Sequence, residues 1–274
     1  MALALLVFHA VPVSAQDMWQ EVKESRVRLL VSGESSHDDM HGYEGLLQIE
    51  LSDGWHTYWR APGDAGIPLS LTPAENSGIE AIAMEWPTPM RYEAFGLMNF
   101  VYHDKVSFPL QITLAEDFET NESYSGDITA FYMVCKTVCV PQEFTLNLPK
   151  ISTIDMKNLS ANQAQMRFAE RRLPYDGDVS DLGINIAVLS KDALVVAARA
   201  SGGFDDVDLF VDAGDSILLT AQPEVELQNE DPTRAMLKIR APEDVENLQE
   251  LLQGQTVHMV LKNGKKAIKR EFTF

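Results

Sequence analysis

The feature that most limits what this chain can fold into is a succession of short segments in which apolar and polar residues tend to alternate. Val27–Val31, Tyr43–Leu51, Ser70–Thr72, Val106–Leu114 and Phe144–Leu148 are of this kind, and Gly, Pro, Asn and Asp separate them. A period of two places neighbouring side chains on opposite faces of a strand, so one face can enter a core while the other meets water. Repeated at this spacing, the pattern is that of an antiparallel β-sandwich. Residues 16–150 are accordingly read as one all-β domain.

From Ile151 to Asp176 the pattern changes. Ser160-Ala-Asn-Gln163 reads as a capping box, Met166 and Ala169 continue a helical face, Arg171 and Arg172 suit a helix C-terminus, and Pro174 stops it. Residues 151–176 are therefore expected to form a helical linker. Strand signals resume in Ile184–Leu189, Ala193–Ala198, Val207–Val211, Ala235–Ile239, Thr256–Leu261 and Ala267–Phe274, with Asn263-Gly264 as a hairpin turn between the last two. Residues 177–274 are read as a second β-sandwich. No internal repeat and no low-complexity tract is visible.

A chain of 274 residues is long enough for two such cores. With 41 acidic against 22 basic residues, a formal charge of -19, its summed field repels phosphate backbones and anionic membrane surfaces, which argues against nucleic-acid binding. Residues 1–15 carry no charge, run apolar through Phe8 and end in Val13-Ser14-Ala15, a small-x-small cleavage pattern. This reads as a signal peptide, although it lacks a basic n-region. A spanning helix needs about 20 apolar residues and no other stretch approaches that, so the mature chain is expected to be soluble and exported.

Export changes how Tyr132-Met-Val-Cys135-Lys-Thr-Val-Cys139-Val-Pro141 is read, because disulfides persist in oxidising compartments. On a straight strand the two cysteines would stand roughly 13 Å apart, whereas a disulfide needs Cα atoms within about 7 Å, so a bond requires a turn at Lys136, Thr137 and Val138. Three readings are open: a structural staple, half of a metal site, and an exchangeable redox pair. Closing so short a loop contributes only about 2 kcal/mol, which weakens the staple. Metal binding needs further soft or imidazole ligands, and none is near in sequence. Lys136, beside Cys135, could hold a thiolate by its charge.

Two other segments carry donors. His37-Asp-Asp-Met-His41 offers two imidazoles, two carboxylates and a thioether within five residues, a weak candidate for copper or zinc, since its flanks read as loop. Gly54-Trp-His-Thr-Tyr-Trp-Arg-Ala-Pro-Gly-Asp-Ala-Gly-Ile-Pro68 reads as a strand whose aromatics pack the core, followed by an ordered loop; His56 could act as a base. No serine elbow, dinucleotide fingerprint or Walker loop accompanies them.

The segment Gly54–Pro68, together with Trp86-Pro-Thr-Pro89, Phe95-Gly96, Tyr102–Leu110 and Tyr132–Glu143, resembles the periplasmic N-terminal domain of the thiol:disulfide interchange protein DsbD. It is similar above all to the N-terminal region of the copper-sensitivity relative ScsB. The resemblance implies an immunoglobulin-like domain with one redox cysteine pair, fed with electrons by a membrane donor through a thioredoxin-like domain and reducing periplasmic thiol proteins, with no cofactor. The ScsB type also implies a second immunoglobulin-like domain. By position, Cys139 resembles the cysteine that forms the mixed disulfide and Cys135 its resolving mate. Phe95, with Tyr92 and Glu93, resembles a cap loop that shields the disulfide.

The resemblance departs in two ways. The DsbD cysteines stand further apart, and no transmembrane or thioredoxin-like segment follows here, so the donor is expected on another polypeptide or the sequence belongs to a larger one. The expectation is thus two immunoglobulin-like β-sandwiches joined by a helical linker, acting as a thiol-disulfide exchange module with protein-disulfide reductase activity that depends on partner proteins. The alternative is a copper- or partner-binding module in which the disulfide is structural and His37 and His41 hold metal.

Overall fold

The computed structural model describes residues 19–35, 41–214, 217–228 and 231–274. The segment read as a signal peptide lies outside them. The first domain contains β1 (Gln20–Glu21), β2 (Ser25–Glu34), β3 (Gly42–Leu51), β4 (His56–Gly63), β5 (Ser70–Pro73), β6 (Ile79–Met84), β7 (Met90–Ala94), β8 (Leu97–His103), β9 (Lys105–Leu114), β10 (Asp127–Cys135) and β11 (Cys139–Asn147). Helix α1 (Met156–Glu170) follows. The second domain contains β12 (Tyr175–Asp176), β13 (Leu182–Leu189), β14 (Ala193–Ala200), β15 (Val207–Asp212), β16 (Glu224–Gln228), β17 (Asp231–Arg240), the short α2 (Leu248–Leu251), β18 (Thr256–Asn263) and β19 (Lys266–Thr273). Among the described residues the chain is all-β with one long helix, as its patterning implied.

In the first domain a sheet in the order β1-β2-β3-β9-β6 faces a second in the order β11-β10-β4-β8-β7, with β5 also paired to β10. Side chains such as Leu47, Ile49, Trp59, Phe108 and Tyr132 fill the space between them. Across that core the buried hydroxyls of Ser25 and Tyr132 stand 3.0 Å apart, so a polar pair links the two sheets without leaving either group unsatisfied. The second domain repeats the scheme with sheets β12-β19-β18-β15 and β13-β14-β17-β16.

Several strands were not legible as such. β7 and β8 mix apolar and polar residues without a strict alternation, and β16 is an exposed edge strand whose five residues all face solvent. The helix begins earlier than the capping box suggested. Asp155 is the N-cap, accepting from the N–H groups of Lys157 and Asn158 at 3.0 and 2.9 Å, while Ser160 lies one turn inside and donates back to the Met156 carbonyl at 2.8 Å. A carboxylate before a polar first turn satisfies the free N–H groups better than a serine already committed to the helix.

The helix is also more than a spacer. Met166 and Ala169 pack on Leu30 and Leu46 on the outer face of the first sheet, and buried Asn162 donates to the Val31 carbonyl at 2.9 Å. In the β18–β19 hairpin the last register pair is Asn263 with Lys266, so the two-residue turn is Gly264-Lys265, one position later than the Asn-Gly signal implied. A positive φ at Gly264 alone suits the turn type that puts glycine first.

Candidate redox site

Strand β10 ends at Cys135 and β11 starts at Cys139, and the two cysteines are the last register pair of this hairpin. Lys136, Thr137 and Val138 make the connection, with the Lys136 N–H donating to the Val138 carbonyl at 3.1 Å. Reversing the chain within three residues brings the Cα atoms to 4.1 Å, and the cysteines are joined as a disulfide. The two sulfur-bearing residues are not equivalent. Cys135 is 3% exposed, whereas Cys139 is exposed to solvent beside Val138, itself 63% exposed.

Behind the disulfide lies a wall of aromatic and imidazole rings set by register. Cys135 pairs with His56 across β10 and β4, and His56 pairs with His103 across β4 and β8. Alternation then sends Tyr58 to the same face as His56, while Thr57 and Trp59 turn inward; the aromatic run read as core packing therefore serves both faces. The Tyr58 hydroxyl lies 3.9 Å from Cys139 Sγ, a long contact in which only the phenol has a proton to give. Burial, then the neighbouring Tyr92, raise the Tyr58 pKa, so this donor stays protonated. Gly66 makes the arrangement possible: a Cβ there would stand 2.3 Å from the Tyr58 ring.

His56 is 3% exposed and its Nδ1 has no hydrogen-bond partner among the described residues. Burial first and His103 second lower its pKa to about 4, so the ring is neutral at pH 7. Its ring centre is 4.8 Å from that of Tyr92 and 5.6 Å from that of His103. Tyr58 and His103 went unnoticed in the sequence because one sits inside an aromatic run and the other at the end of a strand with no regular pattern.

The other expected site residues fall as follows. Lys136 donates from Nζ to the Asp53 carbonyl at 2.9 Å, which ties its charge to the β3–β4 turn and not to a sulfur. Phe95 and Gly96 form the two-residue turn of the β7–β8 hairpin, both with positive φ. The Phe95 ring is 83% exposed and is not packed over the disulfide. Register explains this: the cysteines lie level with His103, and the hairpin tip stands some seven residues along, on the order of 20 Å of strand. Glu93 is exposed on the same hairpin. The ring this hairpin brings to the site is that of Tyr92. His37 lies outside the described residues and His41 is exposed; among the described residues no group of three or more His, Cys, Asp or Glu is placed to hold a metal ion. No helix among them is long and apolar enough to cross a membrane.

The family model described as the thiol:disulfide interchange protein DsbD, N-terminal, matches residues 32–150. The first domain is of the DsbD N-terminal type. Residues 174–274 match a domain of unknown function (DUF8393). The whole fold is similar to the N-terminal periplasmic domain of ScsB from Proteus mirabilis, with a TM-score of 0.71 and 18% identity over 93% of this chain and 96% of that one. That likeness establishes two immunoglobulin-like sandwiches in the ScsB arrangement. The reduced DsbD N-terminal domain of Neisseria meningitidis covers 50% of this chain and 90% of its own, at 12% identity and a TM-score of 0.26. No curated protein sequence matches the chain. A DsbD-type domain with its cysteine pair joined across a hairpin end is a thiol-disulfide exchange module.

Proposed function

We propose that the chain relays electrons in the periplasm, taking them from a membrane or thioredoxin-like donor and passing them to periplasmic thiol proteins. The observation that carries this reading is the asymmetry of the bond: Cys139 is exposed and Cys135 is 3% exposed. Exchange depends on which sulfur an incoming thiolate can reach.

A donor thiolate attacks Cys139 Sγ, the bond to Cys135 breaks, and Cys135 leaves as a thiolate that its buried position forces to take up a proton. The donor's second thiolate then attacks the mixed disulfide, releasing Cys139. The donor dithiol becomes a disulfide, and Cys135 and Cys139 hold the two electrons. Onward transfer reverses the roles: the Cys139 thiolate attacks an acceptor disulfide, whose other sulfur leaves as a thiolate, and Cys135, giving up its proton, then attacks Cys139 Sγ to re-form the bond and release the acceptor as a dithiol. The Tyr58 phenol stands where a hydrogen bond to the Cys139 thiolate would lower its energy, and neutral His56 is the register partner of Cys135 on the neighbouring strand.

Equilibrating the protein with defined thiol-disulfide buffers and counting free thiols tests the reading. A relay predicts a reduction potential between about -180 and -270 mV; a value below about -300 mV marks a structural bond and overturns it.

A further inference from the structure

A groove of about 720 Å³ lies where four parts of the chain meet: residues 87–90, the junction of β8 with β9, the C-terminal end of α1 with the residues after it, and the β18–β19 hairpin. Among the described residues six cations line it, Lys105, Arg171, Arg172, Lys262, Lys265 and Lys266, and no carboxylate does. In a chain with 41 acidic residues and 22 basic ones, that is a strong local inversion of charge. Three of the six are held by carboxylates beyond the lining: Lys105 by Glu50 at 2.8 Å, Lys262 by Asp206 and Lys266 by Asp181. Arg171, Arg172 and Lys265 are exposed and have no carboxylate partner among the described residues; the Arg172 guanidinium lies 4.8 Å from the centre of the Phe168 ring.

The rest of the lining mixes prolines and rings, Pro87, Pro89, Tyr102 and Tyr175, the last 57% exposed, with the polar side chains of Thr88, His103 and Ser107. Free inorganic anions have no use for such walls, whereas a peptide has. His103 also lines the groove, and its ring is 5.6 Å from that of His56, the register partner of Cys135. Along the sheet order β8-β4-β10-β11, His103 thus stands level with the disulfide, with Cys139 three strands away, on the order of 15 Å.

We propose that this groove receives an extended acidic segment of the protein that exchanges with Cys139, an inference that rests on the relay reading above. The negative field of the whole molecule does not forbid it. At physiological salt, charges are screened beyond about 8 Å, so the local cations dominate once the segment is in contact. Its role is to hold an acidic partner near the exposed sulfur, raising both encounter rate and selectivity.

The test uses the full chain and a dye-labelled eight-residue peptide of alternating glutamate and tyrosine, followed by fluorescence anisotropy. The expected result is saturable binding that weakens at least tenfold between about 50 and 300 mM salt, and at least tenfold in the Arg171→Glu, Arg172→Glu, Lys265→Glu triple variant. A matching triple Gln variant, gentler on folding, should show a smaller loss in the same direction. Reversing Lys23, Lys157 and Lys191, which lie elsewhere, should change affinity less than twofold. Equal losses in that control, or displacement of the peptide by low-millimolar inorganic phosphate, overturn the proposal in favour of general charge attraction or a small-anion site. Reduction by dithiothreitol, run in parallel, separates the two readings. A pair that exchanges while the triple variant binds unchanged sinks the groove alone, and a pair that resists reduction while the peptide binds sinks the relay and leaves an acidic-peptide site.

Discussion

Arg91 of the first domain and Asp208 of the second are joined by two parallel contacts, Nε to Oδ2 at 3.0 Å and Nη2 to Oδ1 at 2.8 Å, with only 10% and 17% of their side chains exposed. The same guanidinium donates to the Leu209 carbonyl at 3.2 Å and to that of Thr220, and lies 4.9 Å from the centre of the Phe100 ring. Phe100 and Trp59 of the first domain meet Phe210 of the second, with ring centres 5.3 and 6.3 Å apart. Arg60 Nε stands 2.9 Å from Asp212 without the alignment of a hydrogen bond, and Lys269 reaches Glu85 at 2.8 Å. Because neighbours on a strand face opposite ways, Arg91 points to the second domain while Tyr92 points to the disulfide. The second domain thus grips, from behind, the strand that supplies a ring to the redox site.

That grip sets the first expectation. Arg91→Met leaves Asp208 largely buried without its cation, and removing one partner of such a pair costs on the order of 3 kcal/mol. Adding Asp208→Leu should recover much of the loss, because no charge is then left without a partner. Urea unfolding of the two variants measures both; equal stability of Arg91→Met and the wild type would show that the domains do not depend on this contact.

The unequal exposure of the sulfurs predicts unequal thiols. In Cys135→Ser the remaining Cys139 should be alkylated by iodoacetamide at least tenfold faster than Cys135 is in Cys139→Ser, under native conditions at pH 8. Each variant loses a closed loop of about five residues and should be destabilised by only about 2 kcal/mol. Mass spectrometry over time reads the rates, and similar rates for the two thiols would remove the basis for assigning Cys139 the attacking role.

Tyr58→Phe deletes one hydroxyl near Cys139 and little else. Losing a single bond of about 1 kcal/mol to a thiolate should raise the Cys139 pKa by somewhat under one unit and slow exchange near pH 7 by about fivefold. The pH profile of alkylation in the Cys135→Ser background gives the pKa directly. An unshifted profile would leave Tyr58 as packing alone.

His56 makes stability depend on pH with a defined sign. Its pKa is about 4 in the folded protein against an ordinary 6.5. Between these values the unfolded chain takes up a proton that the folded one refuses, so the contribution is complete above pH 6.5 and is lost as the pH falls toward 4. The loss approaches on the order of 3 kcal/mol. Unfolding midpoints at pH 7.5 and 4.5 should differ more in the wild type than in His56→Phe, and an identical difference would place His56 outside this linkage.

The site was partly legible. Spacing showed that Cys135 and Cys139 could bond only around a turn, and the structure puts that turn at the end of a register-paired hairpin. The ring wall was hidden because His56, Tyr58, Tyr92 and His103 come from three strands, and nothing local in the sequence says that those strands lie side by side. Lys136 stood next to a cysteine in the chain, yet a lysine stem is long enough to reach away, and its ammonium donates to a backbone carbonyl. Phe95 illustrates the reverse, since a residue placed by motif at a hairpin tip is carried away from the cysteines by strand length.

What the sequence by itself determined is what depends on nearest neighbours: the period of two that makes strands, the punctuation that ends them, the helical stretch between the domains, and the short cysteine loop. Only the tertiary structure decided what depends on residues far apart in the chain. It chose which face of β4 meets the sulfurs, left Cys139 in solvent and Cys135 buried, folded α1 onto the first sheet, and drove Arg91 against the second domain. The physical reason is that exposure, pKa and ion pairing are set by everything packed around a group, and that surrounding is assembled from strands whose order no local pattern records.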